Sequence, residues 1–108
     1  MSTPPFSIVI TTCSNEQEAT RITTLLIEKK LAACVQSSEI QSTYHWQGNV
    51  ETDHEIRLMI KTRSTLFDDI SAVIKRESSY DNPEIVAIPI TQGSQTYFTW
   101  LETETLPQ

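Results

Sequence analysis

The chain has 108 residues, a hydrophobic fraction of 38% and a net charge of −6 from eight Lys/Arg against fourteen Asp/Glu. That length holds a single domain over residues 1–108, burying roughly two-thirds of its surface on folding, and leaves no room for a second core. The acidic balance argues against nucleic acid, which needs clustered positive charge, and the longest apolar run, Leu31–Val35, is far too short to span a membrane.

Residues 1–5 read as a short tail, and residues 1–7 hold no basic stretch followed by an apolar one, so no signal peptide is expected. Phe6, Ile8 and Ile10 alternate with Ser7, Val9 and Thr11, the period of a strand buried on at least one face. Ser14 offers a helix N-cap with Gln17 three residues on, and Ala19, Ile22, Leu25 and Leu26 follow at helical spacing, which predicts a helix over 15–30. From 32 to 62 the pattern changes to a period of two. Ile40, Ser42, Tyr44 and Trp46 share one face, Gln47-Gly48-Asn49 signals a turn, and Ile56, Leu58 and Ile60 face away from Arg57 and Lys61. A second helix follows, capped by Ser64 or Thr65 and carrying Leu66, Ile70, Val73 and Ile74 to Lys75-Arg76. Residues 77–84 are a loop. Ile85–Thr91 is a strand, placed at an edge or bulge by Pro89, and Gly93-Ser94 starts a last short helix with Tyr97, Phe98 and Leu101 inward.

The order β-α-β-β-α-β plus a terminal helix is the ferredoxin-like split βαβ pattern of an α+β domain. The hairpin stands out. Arms of twelve or more residues span roughly 40 Å, against a radius of gyration near 13 Å for a chain this long. The hairpin must project, with Tyr44 and Trp46 near its tip, and an uncovered strand pair invites association. A self-assembled oligomer is therefore expected.

Candidates for chemistry are few. Cys34 sits in a small apolar run and reads as a packed core thiol. Cys13 follows the first strand, near the start of a helix. It is either a loop thiol or, with its pKa lowered by that helix terminus, a metal ligand. With a Gly48-Asn49 turn, His54 is a diagonal neighbour of His45, about 7–8 Å away, close enough to share an ion but more simply a solvated residue. Glu51, Asp53 and Glu55 alternate as a solvated edge or a minor hard-cation site. Two cysteines do not form a disulfide framework, which points to the reducing cytoplasm. With only Gly48 and Gly93, no glycine-rich phosphate loop exists. In the segment Tyr80-Asp81-Asn82-Pro83-Glu84, Pro83 holds Asn82 extended. Tyr80 presents a ring with a polar tip, and Glu84 can pair with Lys61 or Arg57 if the loop folds back.

The spaced residues Lys30-Leu31-Ala32-Ala33-Cys34, Tyr44-x-Trp46-x-Gly48, Glu51, Glu55, Ile60-Lys61-Thr62, Tyr80-x-x-Pro83-Glu84-Ile85, Pro89, Gly93, Tyr97 and Trp100-Leu101 resemble the CutA divalent-cation-tolerance family, over about residues 7–102. The resemblance implies a ferredoxin-like fold, tight homotrimers formed by strand pairing between subunits, an architecture similar to PII signal proteins, and tolerance of copper and other divalent metals. It gathers Tyr44, Trp46, Lys61, Tyr80, Pro83, Glu84 and Trp100 at clefts between subunits. One departure matters. Where enteric members carry their proposed metal ligands, a cysteine and a His-His pair, this chain has Thr11, Glu77 and Ser78. Copper prefers thiolate and imidazole, so only Cys13, two residues away, and Glu77 remain as donors. Three readings follow. The first is a non-enzymatic trimer that binds copper or another divalent cation. The second is a PII-like sensor that binds a small organic anion through Lys61 and the aromatics. The third, weakest for want of a nucleophile, is a hydrolase with Glu84 as base.

Overall fold

The alternation in the first strand and the helical spacing after it set the framework. The computed structural model describes residues 4–107, so Met1–Thr3 of the expected tail and Gln108 lie outside the described residues. The elements are β1 (Phe6–Cys13), α1 (Glu16–Glu28), β2 (Cys34–Trp46), β3 (Asn49–Arg63), a single 3₁₀ turn (Ser64–Leu66), α2 (Phe67–Glu77), β4 (Val86–Pro89) and α3 (Gln95–Thr103). The sheet order is β2-β3-β1-β4, with every neighbouring pair antiparallel. This is the expected ferredoxin-like α+β arrangement, in which β3 inserts between the parallel β1 and β2 that α1 connects.

Register divides the sheet into two unlike faces, because successive side chains point to opposite sides. Val9 pairs with Ile60, Thr11 with Leu58 and Cys13 with Ile56. These residues face α1 and α2 and join Ile22, Leu26, Ile70, Val73 and Ile74 in the core. The opposite face carries Phe6, Ile8 and Ile10, then Arg57, Met59, Lys61 and Arg63, with Val86 and Ile88 opposite Ile10 and Ile8. Only one end of it is covered. There α3 stacks Phe98 on Phe6 at 4.9 Å between centroids, and Arg63 donates to the Glu102 carbonyl (2.7 Å) and to Thr105 Oγ1 (2.9 Å). A Cβ at Gly93 would come within 2.6 Å of the Phe98 ring, so a side chain there would push the ring from its place.

Several boundaries differ from the sequence reading, each for a local reason. Asn15, not Ser14, caps α1, its Oδ1 accepting from the Glu18 amide at 2.9 Å. The helix stops at Glu28 because Lys30 turns left-handed, at φ 57°. The second helix begins with the 3₁₀ turn, and no side chain caps it. The final strand is only Val86–Pro89, since Ile85, Ile90 and Thr91 lie outside its ladder with β1. The hairpin turn is Gln47-Gly48, both at positive φ (50° and 83°), which joins Trp46 directly to Asn49 in register. That corrects the histidine pairing. His45 faces Val50 and His54 faces Gln41, so the two imidazoles stand four residues apart along the ribbon, about 13 Å, too far to share an ion.

The expected projection is present. β1 ends at Cys13 opposite Ile56, so residues 49–55 and their partners 40–46 continue as a two-stranded ribbon for about 24 Å. The molecule measures 44 × 30 × 21 Å with a radius of gyration of 14.5 Å, longer than the near-13 Å of a compact chain this size. Its surface of 6842 Å² likewise exceeds the about 6,100 Å² that its mass predicts.

Thr11 is fully buried and its Oγ1 has no hydrogen-bond partner. A buried hydroxyl left unpaired costs free energy that an isosteric methyl does not. Thr11→Val is therefore expected to stabilise the chain by about 1 kcal/mol, read as a higher midpoint in thermal or urea unfolding. An unchanged or lower midpoint would show that the hydroxyl is satisfied.

Candidate functional site

The donors left for a metal do not converge. Thr11, where the resemblance expects a ligand cysteine, points into the core between Val9 and Cys13 with no exposure. Cys13 is not a loop thiol. It is the last residue of β1, fully buried on the helix-covered face. Burial pushes its thiol up to about 12, the negative charge of Glu18 adding to the effect and the Arg21 guanidinium opposing it. This overturns the expectation that a helix terminus would favour its thiolate, because loss of hydration outweighs the helix end. Cys34 is half-buried on the opposite face of the sheet rather than packed in the core. Glu77 is already engaged as an anion. Its carboxylate accepts from Arg21 Nε at 3.0 Å and from Arg76 Nε at 2.9 Å, bonds that hold it below the usual carboxylate range, Arg76 foremost. Among the described residues, no three His, Cys, Asp or Glu side chains come together to hold an ion.

The remaining candidates fall in three places within one chain. Near the hairpin tip, Trp46 and Tyr44 are exposed on the open face, and Tyr44 donates its hydroxyl to Asp53, diagonal to it across the ribbon. That bond, with the neighbouring carboxylates, raises the Tyr44 phenol to about 12. At the root of the ribbon, Tyr80 reaches over from the loop after α2 and donates to Glu55 Oε1 at 2.8 Å. Burial, and then this bond, push its phenol above the ordinary value. Asp53 and Glu55 thus each accept a tyrosine hydroxyl, while Glu51 and Asp53 are exposed, as expected of a solvated edge, and Glu55 is half-buried. At the far end of the open face, Lys61 Nζ lies 5.4 Å from the centre of the Tyr97 ring, a cation–π distance. Tyr97 in turn leans on Trp100 at 5.5 Å. Glu84 is exposed beside the half-buried Pro83, and among the described residues it makes no ion pair, so the proposed pairing with Lys61 or Arg57 does not form.

One functional-looking group escaped the sequence reading. Glu18 is 4% exposed, and both its oxygens accept backbone amides, Oε2 from Ser14 at 3.1 Å and Oε1 from Ser79 at 2.9 Å. The Asn15-x-x-Glu18 spacing signals a cap, but the partner at Ser79 is 61 residues away and leaves no trace in the local pattern. Two clefts lie beside this region. One of 420 Å³ runs between α1 and β2, and one of 470 Å³ is bounded by Ser14, Glu16, Glu39, His54 and Glu55. Both are open and shallow.

Comparison with known proteins gives a consistent result. Residues 7–104 match the family profile described as CutA1 divalent ion tolerance protein. The chain is similar to the chloroplastic protein CutA 1 of Oryza sativa, with 40% identity over 96% of this chain and 59% of that one. It is also similar to the divalent-cation tolerance protein CutA of Archaeoglobus fulgidus, with 38% identity over 89% and 94%. The chain spans less than two-thirds of the length of the plant relatives it matches. Among solved structures it resembles CutA1 from Oryza sativa, at a TM-score of 0.93 and 39% identity over 98% of both chains. It likewise resembles the periplasmic divalent cation tolerance protein CutA from Archaeoglobus fulgidus, at 0.90 and 36% over 92% and 97%. These matches favour ion tolerance over the organic-anion sensor.

A thiol held near 12 is ionised in only about one molecule in 10⁵ at pH 7. In the native protein, Cys34 is expected to react with iodoacetamide while Cys13 stays unmodified until the chain unfolds. Peptide mass spectrometry across a time course checks this, and equal rates at the two thiols would contradict it.

Proposed function

The chain belongs to the CutA1 divalent ion tolerance family, and we propose that it serves divalent-cation tolerance as a non-enzymatic homotrimer that binds its cation or ligand where subunits meet. The overhanging ribbon carries this reading. A two-stranded ribbon is marginal by itself, and this one displays Trp46 (43% exposed) and Tyr44 (39%) on the same side of the sheet as Val86 (47%) and Ile88 (49%). Among the described residues, both sheet edges, β2 and β4, are unpaired. Three-fold closure is what the family resemblance implies for such an overhang. The scattered positions support a site shared between subunits, since Tyr44 and Trp46 at one end and Lys61 and Trp100 at the other do not meet within one chain.

The residues present do not fit a soft copper site inside a single chain, because the thiol is buried and protonated and Glu77 is neutralised by two arginines. Hard carboxylate donors on the ribbon, Glu51, Asp53 and Glu55, face the side that assembly would close. The cytoplasm is the compartment we propose, on the strength of two free thiols on opposite faces of the sheet.

Sedimentation at micromolar concentration is expected to show a trimer, and a stable 12.3 kDa monomer would sink the reading. Trp46→Asp places a charge on a surface that assembly buries, and is expected to weaken association by about 3 kcal/mol. An unchanged trimer would remove Trp46 from the interface. Calorimetric titration with copper and zinc is expected to give the same affinities for wild type and Cys13→Ala. A loss on substitution would restore the thiol as a ligand.

A further inference from the structure

The end of α2 and the segment after it are tied to two elements far apart in sequence, α1 with the turn before it and β3. At its start, Arg21 donates from Nη2 to the Glu77 carbonyl and from Nε to its carboxylate, both at 3.0 Å. One turn earlier on the same face of α1, the buried Glu18 takes the Ser79 amide on one oxygen and the Ser14 amide on the other. The hydroxyls of Ser14 and Ser79 also bond each other at 3.1 Å. The next residue, Tyr80, has its amide turned onto Ser78 Oγ (3.1 Å) and its hydroxyl on Glu55. Glu55 is the first ribbon residue beyond the last β1–β3 pair, Cys13 with Ile56. The bond therefore lands where the four-stranded sheet becomes a two-stranded overhang.

We propose that Ser78–Tyr80 is a latch, rooted on α1 by Glu18 and closed onto Glu55 by Tyr80, which sets the pose of the overhanging ribbon. Two-stranded ribbons twist more strongly than wider sheets and are marginal alone, so a brace at the root governs where the tip points. Glu18 suits the rooting role. Its two acceptor oxygens serve two different backbone segments, and charge-assisted bonds of this kind are stronger than neutral ones. Closure is the weaker half, because a single part-buried hydroxyl carries it. The latch can open locally while the core stays folded. This goes beyond the tolerance reading and does not depend on which ion is bound.

The test is amide hydrogen exchange on the full-length protein, at neutral pH and at matched assembly state, for wild type, Glu18→Gln and Tyr80→Phe. The glutamine keeps the shape but replaces one acceptor oxygen with a donor. Exchange at Ser79 and at residues 50–55 is expected to rise by about tenfold or more in Glu18→Gln, with the core amides of Val9–Thr11 unchanged. Tyr80→Phe is expected to raise exchange at residues 50–55 while leaving Ser79 protected. Unchanged exchange at Ser79 in Glu18→Gln, or an equal rise throughout β1, overturns the rooting role. Unchanged exchange at residues 50–55 in Tyr80→Phe overturns the closure. If Glu18→Gln does not fold, Tyr80→Phe decides whether the latch exists. A change of sedimentation behaviour without these exchange differences would bear on assembly alone and would likewise overturn the latch.

Discussion

β3 is longer than β1, and much of the rest of the molecule depends on that mismatch. The ladder between them ends at Cys13 and Ile56. Beyond it, among the described residues, β2 and β3 pair only with each other and the ribbon's side chains are mostly exposed. Backbone pairing keeps the ribbon together, but a lone strand pair lacks the apolar burial that makes a sheet independently stable. The exposed Trp46 and Tyr44 are the side chains that such burial would use.

The two faces of the sheet do different work. Toward α1 and α2 the strands contribute Val9, Leu58 and Ile60 to a dry core, and the same parity carries Thr11 and Cys13 inward. That placement removes both from metal chemistry. A thiol without water around it holds its proton, and the buried Thr11 hydroxyl has no partner among the described residues. The open face keeps its apolar strip accessible except where α3 lies across it. The cations Arg63 and Lys61 mark that covered end, the first bonded to the end of α3 and the second resting against Tyr97.

Carboxylates along the ribbon and beside its root are engaged, although Arg57 Nε, buried next to the root, has no partner among the described residues. Glu18 satisfies two amides, Glu77 binds two arginines, and Asp53 and Glu55 each accept a tyrosine hydroxyl. Each tyrosine hydroxyl occupies one oxygen of its carboxylate, so the second oxygen of Asp53 and of Glu55 is left to accept another donor or an ion.

Local pattern was enough for the element order, the projecting hairpin and the start of the last helix after Gly93-Ser94, because periodicity and turn chemistry act over a few residues. Ile56, Leu58 and Ile60 announced which way β3 faces, and Gly48 announced its turn. The resemblance in spaced residues such as Tyr80-x-x-Pro83-Glu84 carried the family. Register was not legible. Placing the turn one residue later made neighbours of His45 and His54, and only the Trp46–Asn49 pairing separated them. Nor was burial at strand ends legible. Cys13 looked like a loop thiol because nothing local says that β1 runs to it, and its raised pKa comes from helices packed over it. The Glu18–Ser79 and Tyr80–Glu55 bonds join residues 61 and 25 positions apart. Tertiary packing alone decides such contacts, since they depend on where two separately determined segments come to rest.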